Sequence, residues 1–583
     1  MIDAFKKLYT LLDARGRRGF ALLVLLMLFD GILEILSLHL VPAYVGLVAY
    51  PDRLRGLLPA DWRQLDQAQL VLWASLAIVL FFAAKLLINT RIALARVRFA
   101  QNTALQLSGR LLNAYLHAPY EYHLQHNSAE LQRNLNSDSV QLAEHVLVPL
   151  GDLLGQGVII LSVLGVFFFY IPLDALTVLV GILAVAGYAA LSQQHRLQRE
   201  GREVQRLHGQ LIRNANEALG CAKEITLLGR QSFFVTRFRD TFSRLARHQR
   251  HIQIMASRLI PGGVELATIA ALAGMIYLLF RQQHSSQEVL TLVTVAAVGL
   301  ARLKGSLSSF MGAYSLLHHK RAALDTIHAD LERLETPPGT PAEIANRPVF
   351  QTELALEDVH YRYPGSEREV LRGVDLVIRR GEAIGFVGKT GAGKSTLIDL
   401  ILGLLQPTAG RILLDGKELQ ANLAAWQRRI GYVPQMLSLI DGSIRENIAL
   451  GIDPQEIDEA AMQRAVEQSQ LLELVQQLPH GLDTAIGERG IRLSGGQRQR
   501  IAIARALYHD PEVIVLDEGT SALDDDTEAE VIRAVETLKG TKTVLMIAHR
   551  LNTLRECDHV FRLEYGRLVC TNHHLPSSFS ATT

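Results

Sequence analysis

Cysteine is almost absent from this chain, with three in 583 residues: Cys221, Cys557 and Cys570. Thiols so few and so scattered exclude a disulfide scaffold and a Cys-rich metal site. An excess of one charge is lacking too. The 59 Lys+Arg nearly balance 58 Asp+Glu, for a formal net charge of +1. Without a bulk positive field, no nucleic-acid partner is expected. What the chain has in quantity is apolar surface. Hydrophobic residues make up 49% and charged residues 20%, with a mean hydropathy of +0.16. Such an average reads as a membrane-embedded part joined to a soluble one, and the length has room for two or more domains.

The apolar residues are concentrated early. Six stretches, Phe20–Tyr50, Leu70–Ile88, Val146–Tyr170, Leu173–Leu191, Leu259–Phe280 and Val289–Phe310, each approach the ~20 residues that carry a helix across a bilayer. Lys and Arg sort the connections. The N-terminus (Lys6, Lys7, Arg15, Arg17, Arg18), Arg91–His145 and Ser192–Arg258 are basic, whereas Pro51–Gln69 is balanced and Arg281 stands nearly alone. Positive charge marks the cytoplasmic side, so both termini are expected there. Residues 1–18 place Ile2, Phe5, Leu8, Leu11 and Leu12 on one face, as in an interfacial helix along the membrane. No small-residue cleavage site precedes the first span, which is expected to direct insertion itself.

The two long basic connections are rich in helix formers and have no core of their own. They read as membrane helices prolonged into the cytoplasm, with a short cross-helix at each tip, His117–Gln125 and Glu217–Gln231. The organisation expected is therefore a six-helix transmembrane domain over 19–316 and a linker over 317–350 that carries Pro337, Pro338, Pro341 and Pro348. After it come an α/β domain over 351–570, built on a parallel sheet, and a disordered tail over 571–583.

Chemistry is concentrated in the second half. Gly388, Lys389, Thr390, Gly391, Ala392, Gly393, Lys394, Ser395 and Thr396 form a P-loop pattern between an expected strand and an expected helix. Glycines let backbone N–H groups wrap phosphates at the positive end of that helix; Lys394 reaches the β/γ-phosphates and Ser395 ligates Mg²⁺. An apolar strand, Val513–Leu516, delivers Asp517 and Glu518 at its end, which suits Mg²⁺ binding and water activation respectively. Ser494, Gly495, Gly496 and Gln497 open a further helix and form a second anion cradle, suited to a nucleotide on another copy of the domain.

That last string, Leu493-Ser-Gly-Gly-Gln497, resembles the ABC transporter signature. By the same resemblance Tyr363 is the aromatic residue that stacks on adenine, Gln435 the Q-loop glutamine at Mg²⁺, and Gly487–Gly490 the X-loop. Ser521–Asp524 matches the D-loop and His549 the switch histidine. Six spans with two long cytoplasmic loops ahead of one nucleotide-binding domain resembles the exporter-type (type IV) half-transporter. It implies a homodimer with two composite ATP–Mg²⁺ sites, in which Glu518 polarises water and His549 holds the γ-phosphate. The two tips then become coupling helices that drive alternating access.

Leu36–Pro42, Asn127-Ser128, Lys223–Gly229 and Asp517–Thr520 further resemble the PglK-type lipid-linked oligosaccharide flippases. The loop Pro51–Gln69 has room for the short external helix of that group. This implies a flippase of a bacterial inner membrane with a lipid-linked or amphipathic substrate. A broad exporter of amphipathic drugs, lipids or peptides is the alternative, and a non-transporting regulator is a third class that Glu518 and His549 argue against. Asp30, Glu34, Lys85, Glu265, Arg302 and Lys304 lie within spans, where charge is costly. They either pair with one another or line a cavity that greets an anionic headgroup.

Overall fold

Long apolar runs that pass without a breaker into charged helix formers should give helices longer than a bilayer is thick, and they do. The computed structural model describes residues 2–49, 66–170, 194–255, 260–281, 286–335, 350–435, 437–487, 490–517, 540–547 and 557–571, with 177, 181, 184, 188, 192, 258 and 554 singly. The chain divides into two compact units, residues 1–118 with 123–337, and residues 119–122 with 338–583.

In the first unit, α1 (Ile2–Leu11) precedes α2 (Ala14–Ala49) and α3 (Gln67–Leu116). At 1.5 Å per residue the 50 residues of α3 run for about 75 Å, more than twice the ~30 Å of hydrocarbon. The helix therefore continues outside the membrane, as its basic second half requires. A short α4 (Tyr120–Gln125) forms the first tip. The returning helix comprises α5 (Ser128–Arg133), a π-turn at Asn134–Asp138, α6 (Ser139–Leu142), a second π-turn at Ala143–Leu147, and α7 (Val148–Tyr170). Then come α8 (Gln194–Gly220), a second short tip helix α9 (Ala222–Leu227), α10 (Gln231–Ile254), α11 (Ile260–Arg281) and α12 (Ser286–Leu334).

Among the described residues, Ala14–Ser37, Ala68–Leu116 and Ser128–Gly165 are long and apolar enough to cross a membrane. The expected fourth span falls almost wholly outside the described residues, as does the external-loop segment 51–65. Leu72, Val79 and Leu86 of α3 are each about two-thirds exposed, an outward apolar belt suited to lipid. Inward packing depends on close approach: a Cβ on Gly299 of α12 would sit 2.3 Å from Phe167 Cε1, so only glycine admits this fully buried ring. Two apolar side chains of α1, Leu8 and Leu11, are buried against the protein, as is Leu12 just after it, and Lys7 pairs with Asp325 of α12 at 2.6 Å.

In the second unit, β1 (Glu353–Arg362), β2 (Glu369–Arg379), β4 (Ala409–Leu414) and β5 (Lys417–Glu418) form an antiparallel sheet in the order β2-β1-β4-β5. A second sheet runs β10-β9-β3-β8-β7-β6, from β3 (Ala383–Val387), β6 (Ile430–Val433), β7 (Val513–Asp517), β8 (Thr543–Ile547), β9 (His559–Glu564) and β10 (Arg567–Thr571). Its β9-β3-β8-β7-β6 pairings are parallel, while β10 runs antiparallel to β9. The parallel heart was expected; the separate antiparallel sheet was not. Strands β7 and β8 are buried at every residue, as a sheet covered on both faces demands. Thr571, the first residue of the expected tail, ends β10 and pairs with Val560 of β9, and 572–583 lie outside the described residues.

Candidate functional site

Parallel strands bring their C-terminal ends to one edge, where ligands of α/β sheets bind. Ile547 of β8 pairs with Phe386 of β3 on one side and with Asp517 of β7 on the other. The end of the P-loop strand and the carboxylate strand are thus level, two strand spacings or about 10 Å apart. Val433, the last residue of β6, pairs with Leu516, so Gln435, two residues on, follows the strand at the same edge of the sheet as Asp517.

The loop between β3 and α13 (Lys394–Ile401) holds Gly388 at φ 157°, Gly391 at 81° and Gly393 at 105°. Gly393 caps the helix in the left-handed region, and a Cβ there would crowd Leu371 and Val370. At Gly391 a Cβ would meet nothing within 4 Å, so the loop presents an open backbone concavity. Lys394 is buried and donates from Nζ to the carbonyls of Gly388 at 2.7 Å and Lys389 at 3.3 Å. This curls the ammonium over the loop. Ser395 on the first turn of α13 is exposed, and Thr396 is buried. A glycine cradle, a helix N-terminus, a lysine and a strand-end carboxylate fit a nucleotide phosphate with its Mg²⁺. When bound, ATP supplies the phosphoanhydride; the residues here orient and neutralise its charge.

Several neighbours were not legible as site residues. Tyr432 donates from its hydroxyl to Asp517 Oδ2 at 3.3 Å, and burial first, then Asp517, holds its phenol well above the ordinary range. Burial, reinforced by the Asp517 carboxylate, pushes Asp399 on α13 up to about 6. Tyr363, expected to stack on adenine, joins its hydroxyl to Thr396 Oγ1 at 2.9 Å and meets Tyr361 edge-on at 5.0 Å. Tyr361 in turn donates to Glu121 Oε1 at 3.1 Å. Residues 119–122 belong to this unit, so part of the first expected tip is built into the domain that carries the P-loop. Burial, then Asp399 and Tyr363, raises the phenol of Tyr120 as well. Only the aromatic interruption of a charged pattern hinted at these residues.

The signature segment folds as its composition allows. Ser494 caps α14 (Gly495–Leu507), accepting from Gln497 N at 3.2 Å, while Gln497 Oε1 accepts from Ser494 N at 2.9 Å. This capping box satisfies two helix-end N–H groups and aims the remainder outward. A Cβ on Gly495 would meet nothing within 4 Å. Glu518, Asp524 and His549 lie outside the described residues, with Glu488 and Arg489 of the X-loop.

In the helical unit the span charges are brought together. Glu34 on α2 accepts from Lys85 of α3, from Arg302 of α12 at 2.7 Å and from Ser37 at 2.9 Å. Lys304 pairs with Glu265 at 2.7 Å. The mutual-pairing reading thus accounts for Arg302 and Lys304 without a bound headgroup.

Comparison with known proteins agrees across both units. Residues 19–302 match the model of the ABC transporter transmembrane region, and 371–521 match that of the ABC transporter. An ATP-dependent lipid A-core flippase of Cupriavidus pinatubonensis is 31% identical over 80% of this chain and 78% of its own length. A protein of the same name from Chromobacterium violaceum is 32% identical over 87% and 86%. The structure of a bacterial Atm1-family ABC exporter with ATP bound superposes with a TM-score of 0.78 over 96% of this chain and 95% of that one, at 24% identity. The chain belongs to the ABC transporter family, as an exporter-type half-transporter whose membrane-spanning helices are fused to a domain that binds ATP with Mg²⁺ and couples its hydrolysis to transport.

Proposed function

We propose that two copies of this chain form an ATP-driven flippase that moves a saccharide-bearing lipid from the cytoplasmic to the outer leaflet of a bacterial inner membrane, with both termini cytoplasmic. The lipid reading rests on one observation: relatives aligned over four-fifths of the chain are named lipid A-core flippases. Lipid A-core and lipid-linked oligosaccharides share a lipid tail and a glycan. The polyprenyl-linked substrate of the PglK-type resemblance remains a finer proposal within that class.

Two features support the composite site. Gly495 leaves an open surface at a helix N-terminus, with none of the described residues within 4 Å of where a Cβ would sit. Residues 119–122 share a unit with the P-loop, as a coupling element requires. In this reading Lys394, Ser395 and Asp517 of one copy hold the phosphates and Mg²⁺, and Gln435 stands beside the metal. Ser494, Gly495 and Gly496 of the other copy complete the cradle. Glu518 accepts the proton of the attacking water, His549 steadies the γ-phosphate, and Asp524 lies at the seam between copies.

A flipping assay tests this. Proteoliposomes carrying labelled lipid A-core or a labelled lipid-linked oligosaccharide receive ATP and an enzyme that trims only outward-facing glycans. Glycan exposure that depends on ATP is expected with wild type. The Glu518→Gln protein should bind ATP yet show turnover reduced by about 10²-fold or more. Unchanged turnover in that variant would remove Glu518 from its role, and hydrolysis without flipping of either lipid would remove the lipid reading.

A further inference from the structure

The segment that returns from the first tip is wound in an unusual way. Two π-turns, Asn134–Asp138 and Ala143–Leu147, fall within fourteen residues. Each inserts one extra residue into the helical ladder, and such turns are frequent at functional sites. Here they separate two faces. Asn134 turns inward and is buried, donating to Tyr115 Oη at 3.1 Å and to Asp330 Oδ2 at 3.2 Å. Leu142, Ala143, Val146 and Leu147 are buried with it. Asn136 and Ser137 of the first turn, and Gln141 between the two, line a cleft instead.

The cleft has a volume of about 280 Å³ and is lined also by residues of α8 and by Ala323 of α12. That is close to the lower end of the ~300–1,000 Å³ range of ligand sites, room for one or two sugar rings. Its polar wall is Gln132, Asn136, Ser137, Gln141, Gln205 and His208. Gln141 Nε2 donates to Ser137 Oγ at 2.7 Å, so those two are joined to each other, and Gln132, Asn136 and Gln205 supply the other amides of the wall. An amide offers donor and acceptor together, which is the pattern that vicinal sugar hydroxyls and acetamido groups present. The cation of the wall is committed: Arg133 donates to Asp138 Oδ2 and to Asn134 Oδ1, both at 3.2 Å. Phosphate recognition would call for an uncommitted cation, so the lining favours a neutral glycan. Ser137 precedes the apolar run that begins at Val146 by nine residues, about 13 Å along a helix. A headgroup whose tail lies in the cytoplasmic leaflet would reach this depth.

We propose that this cleft is a binding site for the neutral saccharide part of the transported lipid, an assignment that rests on the flippase reading and deepens it. The test uses the full chain in lipid nanodiscs with N,N′-diacetylchitobiose as probe, read by saturation-transfer NMR and titration. Wild type should bind the disaccharide. Gln132→Leu with Gln205→Leu should weaken binding by about tenfold, the loss of two amide partners, with basal ATPase unchanged. Asn136→Ala, at an exposed position, gives a milder variant that should fold whatever the double variant does, and should weaken binding by about threefold. Absence of binding to wild type up to tens of millimolar would overturn the site, as would unaltered binding in the variants. Transport separates the two claims. Wild type that binds disaccharide but flips no glycolipid overturns the flippase reading and leaves the site. Flipping with the same KM in wild type and variants overturns the site and leaves the reading.

Discussion

Glu34→Gln should be among the most damaging single changes in the helical unit. One carboxylate serves two cations from two other helices, Lys85 of α3 and Arg302 of α12, with Ser37 as a further donor. Lys85 is the vulnerable partner, its side chain 7% exposed against 40% for Arg302. At 2.7 Å and an effective dielectric of ~20, the gross attraction of Arg302 to Glu34 is roughly 6 kcal/mol. Desolvation offsets much of that, and because Arg302 is partly exposed its share is smaller still. The larger cost is Lys85 left charged and unneutralised, about 3–5 kcal/mol for breaking a buried pair. Thermal unfolding of the protein in nanodiscs should show a midpoint lowered by roughly 5 °C or more. Removing the second charge too, in Glu34→Gln with Lys85→Met, should recover most of the loss, so the two changes are far from additive. A single variant with an unaltered midpoint, or a double variant as unstable as the sum, would refute the view that this acid staples three spans.

Two further outcomes follow from the second unit. Asn447 is fully buried; it accepts from Ile440 N at 2.9 Å and donates to the carbonyls of Ile440 and Ser443, while Arg505 of the signature helix donates to it at 3.1 Å. Asn447→Leu should cost about 2–4 kcal/mol by denaturant titration and lower ATPase activity, since it unties the segment after Gln435 from α14; a loss below ~1 kcal/mol would contradict this. Asp399, raised from 3.8 to about 6 by burial and by Asp517, binds more protons folded than unfolded between those values. Its contribution is fully present below 3.8 and is lost as pH rises through about 6, so stability falls across that window. Asp399→Asn should flatten the dependence of the unfolding midpoint on pH between those limits, and an unchanged slope would place the titration elsewhere.

The nucleotide motifs were legible because their chemistry is local. A P-loop must place glycines where φ is positive and a lysine at the first helical position after them, and Ser494 with Gln497 completes a capping box within four residues. The spans were legible for a similar reason, since a bilayer demands unbroken apolar length. Even the prolongation of α3 beyond the membrane follows from its run of helix formers. By contrast, the sequence carried no sign that Glu121 would meet Tyr361, 240 residues on, or that Asp399 and Tyr432 would crowd Asp517.

The limit lies in what pairs with what. Sequence alone determined the order of elements, the six apolar stretches, the α/β domain and the residues expected to touch phosphate and Mg²⁺. Tertiary structure decided that Lys85, Arg302 and Lys304 of the spans pair with Glu34 and Glu265, that α1 turns its leucines inward, and that two π-turns re-aim a polar face. A period or a motif is written in residues a few positions apart, where backbone geometry alone relates them. A salt bridge between helices hundreds of residues apart depends on rotation and depth that only the packed chain sets, and a π-turn is favoured by its surroundings rather than by its own composition.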